Sequence, residues 1–154
     1  MQYREATESD VPALARIRAM EWETEEYWIA RISGYWNGDI HPQQALLPRV
    51  IYVAVEEDCS IVGFIAGHLT RRFECDGELE WINVIPAHRG AGIALALIQQ
   101  LAGWFIGQKA LQVCVDCDPD NHIAQNFYKR YGAEMLNKHW LVWKDIRVLL
   151  SPAR

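Results

Sequence analysis

The sequence predicts an α/β (α+β) fold in which helices cover a mixed β-sheet. Segments of strand composition alternate along the chain with segments of helical periodicity. The order includes hairpins, whose strands pair antiparallel, and one strand–helix–strand unit, whose strands pair parallel, so the sheet must be mixed. The chain has 154 residues and carries no repeat, low-complexity tract or linker, which predicts a single domain over residues 1–154.

The N-terminal part is predicted to hold one strand and two helices. Residues 2–6 have strand composition. Asp10 is expected to cap the first helix, because its carboxylate accepts hydrogen bonds from free N–H groups, and Pro12 is tolerated in a first turn. A second helix is predicted from Glu25 to about Trp36, and its end is expected near Gly38.

Three strands are predicted in the middle of the chain. Residues 50–55 and 61–69 are rich in β-branched and aromatic residues, and the acidic residues 56–58 between them predict a hairpin turn. Residues 78–85 are predicted as the next strand, which Pro86 ends because it has no N–H group to donate.

Helices and strands alternate in the remainder of the chain. A helix is predicted from residue 91 to residue 106 and a strand at residues 111–115. Residues 118–119, Asp-Pro, are typical of a helix start, because proline is favoured at the first helical position. This helix is expected to end before Gly132, and residues 134–150 are expected to form one or two strands.

Composition and charge restrict the expected partners and location. The net charge is −5, and no run of Lys and Arg exceeds two residues, so nucleic acid is not an expected partner. No apolar run approaches the ~20 residues that span a bilayer, and the N-terminus lacks the pattern of a secretion signal. We therefore expect a cytoplasmic protein without a membrane partner. Four cysteines with no second pair at zinc-ribbon spacing predict reduced, structural thiols and no metal site.

The segment after the predicted strand 78–85 has the composition of an anion site. Small residues at Gly90, Ala91, Gly92 and Ala94 let a ligand approach the backbone closely. The free N–H groups in the first turn of the following helix suit a pyrophosphate. A nucleotide P-loop would need Gly-Lys-Ser/Thr and a dinucleotide fold Gly-x-Gly-x-x-Gly, and neither pattern matches. A glycine-rich turn without a ligand is the alternative.

A second informative segment, residues 121–133, is predicted to be an amphipathic helix that a glycine ends. Ala124, Phe127 and Tyr131 have the spacing of a core-facing stripe. Tyr128 is expected at the edge of that face, with its ring packed and its hydroxyl reaching a cleft. A buried tyrosine with a purely structural hydroxyl is the alternative.

Together the two segments resemble motifs of the GCN5-related N-acetyltransferase (GNAT) superfamily. The acetyl-CoA motif of that superfamily, Arg/Gln-x-x-Gly-x-Gly/Ala, is matched by Arg89, Gly92 and Ala94. Its later motif, Asn-x-x-Ala-x-x-Phe-Tyr-x-x-x-Gly-Phe/Ala, is matched by Asn121, Ala124, Phe127, Tyr128, Gly132 and Ala133. Many members carry glycine where this chain has Ala94, and the superfamily tolerates alanine there. The resemblance implies a mostly antiparallel, twisted central sheet with helices on both faces.

The resemblance also implies how acetyl-CoA is bound as the acyl donor. The loop backbone would hold the pyrophosphate, and the strand before it would pair with the pantetheine amides. An asparagine at the start of the later helix would hydrogen-bond the same arm. The cofactor-binding residues implied in this way are Ile82, Asn83, Val84, Arg89, Gly90, Ala91, Gly92, Ile93, Ala94, Asn121 and Tyr128.

Catalytic roles follow from the same resemblance. The Val84 N–H would stabilise the oxyanion of the thioester, and Tyr128 would protonate the departing thiolate. An acceptor amine with a pKa near ~10.4 is mostly protonated at neutral pH, so a base or a water chain must take its proton. The candidate bases are Glu80, which is favoured as the nearest to the expected thioester, Glu78 and Asp116. Strand alternation predicts that Glu78, Glu80 and Ile82 share one face unless a bulge intervenes.

The acceptor is less determined than the donor. Residues 11–36, where this superfamily usually shapes its acceptor pocket, carry acids among aromatic side chains; the acids are Glu21, Glu23, Glu25 and Glu26. This composition suits an amine through charge and cation–π contact, and an ordinary solvated helix face is the alternative. A small amine, an aminoglycoside-like amine and a protein amine all stay open, as does a homodimer. The competing function is a non-catalytic CoA-binding regulatory or interaction module.

Overall fold

The structure is a computed structural model that describes residues 1–150. The strands are β1 Gln2–Glu5, β2 Ala45–Val55, β3 Ile61–Thr70, β4 Gly77–Val84, β5 Val113–Asp116, β6 Glu134–Met135 and β7 Trp140–Trp143. The α-helices are α1 Val11–Ala19, α2 Glu25–Asn37, α3 Ile93–Gly107 and α4 His122–Arg130. None of the helices within the described range is long and apolar enough to cross a membrane.

Seven strands form one sheet in the order β1-β2-β3-β4-β5-β7-β6. Neighbouring strands are antiparallel except β4 and β5, which are parallel and joined through α3. The parallel pair is short, because its register begins at Gly77 with Val113 and ends at Leu79 with Val115. The rest of β4, residues 80–84, therefore extends beyond its last partner on β5.

Helices cover both faces of the sheet, and each face has its own core. On one face α3 and α4 pack with residues such as Leu97, Leu101 and Phe105, all fully buried. On the other face α1 and α2 contribute Leu14 and Ile32. The predicted fold, a mixed and mostly antiparallel sheet with helices on both faces, is confirmed.

Close approach of α3 to the sheet depends on glycines in the strands below it. A Cβ atom on Gly67 would lie 2.8 Å from Leu101 Cδ1, and one on Gly77 would meet the Phe105 ring. Only glycine leaves room for these side chains, which repeat at helical spacing along α3. The contact fixes the position of the α3 N-terminus relative to β4.

The boundaries of α2 agree with the prediction, but the capping of α1 does not. Thr24 accepts a hydrogen bond from the Tyr27 N–H over 3.1 Å, and Gly38 ends α2 in a left-handed conformation with φ of 84°. Asp10 directly precedes α1 but turns its carboxylate backward, where it accepts from the Thr7 N–H at 2.7 Å and pairs with Arg4 at 2.7 Å. The prediction that Asp10 caps α1 is wrong, because these two donors occupy its oxygens.

Strand β2 is longer than predicted and α3 starts later. The ladder between β2 and β3 begins at Ala45 and skips Leu47 and Pro48, so the proline lies in an irregularity within the strand, where no ladder hydrogen bond is needed. Helix α3 begins at Ile93 because Gly92 before it has φ of 81°, outside helical geometry.

The second half of the chain differs from the prediction at two further boundaries. Helix α4 begins at His122, because the Asp118 side chain accepts from the Asp120 N–H at 2.9 Å and holds residues 118–120 in a turn. The last segment forms two short strands, β6 and β7, and then a 3₁₀ helix at Ile146–Leu150 where a strand was expected.

A β-bulge in β4 changes which residues share a face. Trp81 pairs with Ala66 and Leu79 with Gly67, so Glu80 is an extra residue without a partner on β3. Glu80 and Trp81 consequently both lie toward α1 and α2, whereas Ile82 packs with the α3 core. The predicted grouping of Glu78, Glu80 and Ile82 is therefore wrong for Ile82, because the bulge reverses the alternation after Glu80.

Candidate active site

The free edge of β4 forms the floor of a cleft between β4 and α4. Ile85 donates its N–H to the Val62 carbonyl at 2.9 Å, on the β3 side. Peptide groups alternate between the two edges of a strand. The Val84 N–H and carbonyl therefore point away from β3, to the edge of β4 that has no partner on β5 after Leu79. The Val84 carbonyl is reached there by Arg89 Nε at 3.1 Å. A backbone donor and acceptor are thus available to an extended ligand.

The N-terminus of α3 lies at one end of this cleft. The first intrahelical bond runs from the Ala96 N–H to the Gly92 carbonyl over 3.1 Å, so the N–H groups of Ile93, Ala94 and Leu95 have no intrahelical acceptor. Gly90 and Gly92 have positive φ angles of 84° and 81°, and a Cβ atom on either would meet nothing within 4 Å. Unpaired N–H groups, a helix dipole and open space are the features that an anion site requires.

Helix α4 forms the opposite wall and is oriented by its cap. Asn121 Oδ1 accepts from the Ala124 N–H at 3.1 Å, which assigns the oxygen to the helix and leaves the side-chain amide N–H₂ for another partner. Its amide N–H₂ has no hydrogen-bond acceptor among residues 1–150. Asn121 lines the cleft, as the sequence predicts.

Tyr128 is the most buried residue of α4, with 5% of its surface exposed. Its ring packs edge-on against Trp143 at 5.6 Å between centroids, and it also lines the cleft. Within residues 1–150 the hydroxyl makes no hydrogen bond. Burial, with smaller contributions from Cys117 and Asp116, raises the pKa of Tyr128, so the phenol stays protonated at neutral pH. Ala124, Phe127 and Tyr131 pack against the same core but are only partly buried, so Tyr128 is buried more deeply than the residues of the predicted stripe.

The cleft has a volume of about 640 Å³ and brings together most of the predicted cofactor site. The predicted residues that line it are Ile82, Asn83, Val84, Arg89, Gly90, Gly92, Ile93, Ala94, Asn121 and Tyr128. Four predicted residues lie outside the lining, namely Glu78, Glu80, Ala91 and Asp116. Ala91 is exposed between the two glycines, and Asp116 is exposed at the end of β5 beside Trp140.

Glu78 and Glu80 lie behind the cleft, on the face of β4 that α1 and α2 cover. Their side chains are 5% and 14% exposed. Glu78 accepts from Arg72 Nε at 3.1 Å, and Glu80 lies 3.9 Å from Arg31 Nη2. His68 joins them, with Nε2 3.7 Å from Glu78 and Nδ1 2.8 Å from the Tyr35 hydroxyl. The side-chain atoms of His68, Glu78 and Glu80 that could ligate a metal ion all lie within 4.8 Å of one another.

Burial shifts the acid–base behaviour of Glu80. Desolvation raises the pKa of Glu80, and the charge of Glu78 raises it further, while His68, Arg31 and Arg18 lower it by less. A carboxylate with a raised pKa accepts a proton more readily than an exposed one. Such a perturbed group beside a cleft is typical of a functional site.

Arg18 and Arg31 were not predicted as site residues from the sequence. Arg18 donates to Asn83 Oδ1 at 3.0 Å and stacks on Trp28 at 4.4 Å. Arg31 lies 5.5 Å from the Trp81 ring. A signal was available, because both arginines occupy positions within the apolar stripes of their helices, Arg18 four residues after Leu14 and Arg31 three after Trp28. A charge in such a position faces inward, where it needs a partner.

The predicted acids of the acceptor region lie elsewhere. The side chains of Glu21, Glu23, Glu25 and Glu26 are all exposed. Glu21 reaches the cleft, where it lies 3.6 Å from Arg89 Nη2 across the mouth. The buried side chains near Glu80 are instead arginine and aromatic residues, namely Arg18, Arg31, Trp28 and Trp81.

Sequence comparison gives the chain relatives of known family. The sequence profile described as the Acetyltransferase (GNAT) family matches residues 11–133. An uncharacterized N-acetyltransferase from Mycobacterium tuberculosis strain H37Rv is 31% identical over 85 residues, 55% of this chain and 53% of that protein. The matched region therefore spans about half the length of the curated relatives.

Two solved structures illustrate the similarity of fold. The apo crystal structure of an aminoglycoside antibiotic 6′-N-acetyltransferase from Acinetobacter haemolyticus has a TM-score of 0.72 at 20% identity, covering 89% of this chain and 93% of that one. The PaiA N-acetyltransferase from Thermoplasma acidophilum, in complex with coenzyme A, has a TM-score of 0.69 at 15% identity, covering 94% and 98%. At these identities the likeness concerns the fold. With the profile matching most of its length, the chain belongs to the Acetyltransferase (GNAT) family.

Proposed function

We propose that this protein is an N-acetyltransferase that moves an acetyl group from acetyl-CoA directly to a primary amine. One observation carries the proposal: β4 leaves β5 after Leu79, so its free edge faces the Tyr128 hydroxyl in the cleft that the α3 N-terminus closes at one end. An extended arm with amide groups, an anionic end and a thioester fits such a cleft.

Acetyl-CoA would lie along β4 as an additional strand. Its pyrophosphate would accept hydrogen bonds from the first-turn N–H groups at Ile93 to Leu95, and its pantetheine amides would pair with Ile82 and Val84. The free amide of Asn121 would hydrogen-bond the same arm. The coenzyme A complex of PaiA, which has the same fold, supports this choice of ligand class.

The transfer step needs an oxyanion donor and an acid. The neutral amine would attack the thioester carbonyl, forming the C–N bond while the carbonyl π electrons move to oxygen near the Val84 N–H. Collapse would break the C–S bond, and the electron pair would go to sulfur, which takes the Tyr128 proton. The raised pKa of Tyr128 would keep that proton in place until a thiolate forms.

We propose Glu80 as the group that accepts the proton of the amine. Its pKa is raised by burial, so it is a stronger base than a solvated carboxylate. Glu78 is already bound to Arg72 at 3.1 Å, and Asp116 is exposed outside the cleft, so both are weaker candidates. Glu80 would act from the α1–α2 side of β4, opposite Tyr128, which leaves the thioester between base and acid.

Two measurements test the proposed function. Calorimetric titration with acetyl-CoA should give one site per chain, and thiol release should depend on both acetyl-CoA and a primary amine. Binding without amine-dependent release from a broad amine panel would favour a non-catalytic CoA-binding module instead. Absence of acetyl-CoA binding would contradict both functions.

A further inference from the structure

Two arginines behind β4 have most of their hydrogen-bond donors unused. Arg18 makes one side-chain hydrogen bond, to Asn83, and its buried Nε has no hydrogen-bond partner among residues 1–150. Arg31 makes no hydrogen bond to any described residue, and its buried Nη1 is likewise unpartnered. Within the described part of the chain, its one ion-pair contact is with Glu80, at 3.9 Å. Guanidinium groups taken out of water normally have each N–H paired.

The charges on this face do not balance. Four guanidinium groups, those of Arg18, Arg31, Arg49 and Arg72, face the two buried carboxylates of Glu78 and Glu80. The exposed Glu21, which also acts on Arg18, is a third carboxylate, so one positive charge is left in excess. Arg49 is held by backbone carbonyls of α2 and the loop after it, and Arg72 by Glu78. Among residues 1–150, Arg18 has no carboxylate within ion-pair distance, and Arg31 has Glu80 alone, at 3.9 Å and without a hydrogen bond. An uncompensated buried charge is costly, and a ligand anion would offset that cost.

We infer that the acceptor is a compact amine that also carries a carboxylate, as an amino acid does. The inference rests on the proposed function. The carboxylate would bind Arg18 and Arg31, and the amine would face Glu80. Since Glu80 lies 3.9 Å from Arg31, the two groups of the acceptor must be only a few bonds apart. The α-amine and α-carboxylate of an amino acid have this spacing, and the rings of Trp28 and Trp81 would flank it.

Other occupants fit this face less well. The exposed carboxylates of α2 and of the turn before it would attract a polycationic acceptor. Arg18 and Arg31 would nevertheless repel its reacting amine. A divalent cation between His68, Glu78 and Glu80 would compete with Arg72 at 3.1 Å and Arg31 at 3.9 Å, which already neutralise these carboxylates. The excess of guanidinium groups favours an anionic partner over a cationic one.

The test is thiol release from acetyl-CoA with matched acceptors. Each of the common L-amino acids is compared with its carboxamide and with its decarboxylated amine, for example phenylalanine with phenylalaninamide and phenethylamine. We expect the preferred amino acid to have a kcat/KM about 10–100-fold above both analogues, as charge-assisted hydrogen bonds to arginine predict. Equal use of all three would overturn the inference and leave the proposed function standing. No release with any amine would overturn both.

A variant pair assigns the preference to the arginines. Arg31→Gln should raise KM for the amino acid about tenfold or more, while KM for the carboxamide stays the same. Arg16→Gln is the matched control, because Arg16 lies on α1 beside Arg18 but is 62% exposed. An Arg31→Gln enzyme that keeps the full preference would overturn the inference. The wild-type comparison decides the question even where a variant folds poorly.

Discussion

The Tyr128 hydroxyl is the group on which the proposed transfer depends most directly. Its ring is held by Trp143, and its oxygen has no hydrogen-bond partner among residues 1–150. The oxygen is not one of the fully buried unpaired atoms, so it is accessible from the cleft and can reach a bound ligand. Its position at the cleft wall, together with its raised pKa, favours a proton donor over a structural group.

Tyr128→Phe keeps the ring and removes the hydroxyl proton, so activity should fall while stability stays the same. We expect turnover to fall by about 10²–10⁴-fold, with little change in acetyl-CoA affinity. The melting temperature should stay the same, because no hydrogen bond is lost. Steady-state thiol release and a melting curve measure the two effects. Normal turnover would show that another group protonates the thiolate, and early melting would indicate a structural tyrosine.

Glu80→Gln should lower the rate most near neutral pH, where Glu80 of the wild type is ionised and the amine acceptor is still mostly protonated. The difference should shrink as pH falls through the raised pKa of Glu80. The expected loss is about 10²–10⁴-fold, and acetyl-CoA affinity should not change. The pH profile of kcat/KM measures it. Asp116→Asn is the comparison variant, and if it alone produced this pattern, Asp116 would be the base.

The same substitution should stabilise the protein at neutral pH. Because the pKa of Glu80 is raised in the folded state, the folded chain binds more protons than the unfolded chain between the two values. Stability therefore falls as pH rises through this range, and ionised Glu80 destabilises the fold above it. Glu80→Gln should melt higher than wild type at pH 7, and the gain should vanish below the ordinary carboxylate pKa of about 4.3. A lower melting temperature at pH 7 would mean that Arg31 needs the carboxylate for stability.

At the scale of elements, the N-terminus of α3 allows a test that separates ligand binding from folding. Ala94 lies in the first helical turn at the cleft. A glutamate there is stabilising for the helix, because it faces the positive end of the dipole, but it repels a pyrophosphate. Gly92 is a poorer position, since its φ of 81° would strain any side chain.

Ala94→Glu should weaken acetyl-CoA binding by about 10²-fold or more and leave the melting temperature equal or higher. Calorimetric titration and thermal unfolding measure both. Gln100→Glu is the matched control, because it adds the same charge at an exposed position further along α3. Equal affinity in both variants would contradict the assignment of the anion site.

Local signals explain which elements and site residues the sequence predicts well. Thr24 caps the start of α2 with its side chain, and Gly38 ends the helix with its left-handed backbone. The sequence therefore predicts both limits of α2. The limits of α4 are not predicted in this way, since Asp-Pro at residues 118–119 forms a turn as readily as a helix start. The cleft motifs are local in sequence, whereas the Arg18–Asn83 contact joins residues 65 positions apart and depends on packing.

At the scale of the whole molecule, the sheet has two halves joined by few hydrogen bonds. Strands β1–β4 and β5–β7 meet only along the short register of three residue pairs between β4 and β5. A ligand that occupies the remaining gap would bridge the halves. Local opening of the weaker half should then be suppressed by the ligand.

Acetyl-CoA should therefore stabilise wild type, by about 2.7 kcal/mol at a concentration 100 times Kd. Hydrogen exchange should slow most in β5 and α4, beside the bridged gap. Thermal unfolding and exchange mass spectrometry measure the two effects. The Ala94→Glu variant serves as the control and should show neither effect at the same concentration. Stabilisation without slower exchange in β5 and α4 would mean that the ligand binds elsewhere.

The bulge at Glu80 has two effects on β4: it adds a carboxylate, and it adds one residue to the length of the strand. Two variants measure these effects on acetyl-CoA affinity separately. Glu80 is one residue more than the ladder with β3 needs, so excising it leaves Leu79 and Trp81 in ordinary register, each on its present face. A bulge increases local twist, and without it β4 would be free to follow β5 further and narrow the gap. We expect the one-residue deletion to weaken acetyl-CoA binding and Glu80→Gln to leave it unchanged. Calorimetric titration of both variants measures the two affinities. Insertion of a single codon would therefore give an unbulged strand both the Glu80 carboxylate and the gap between β4 and β5.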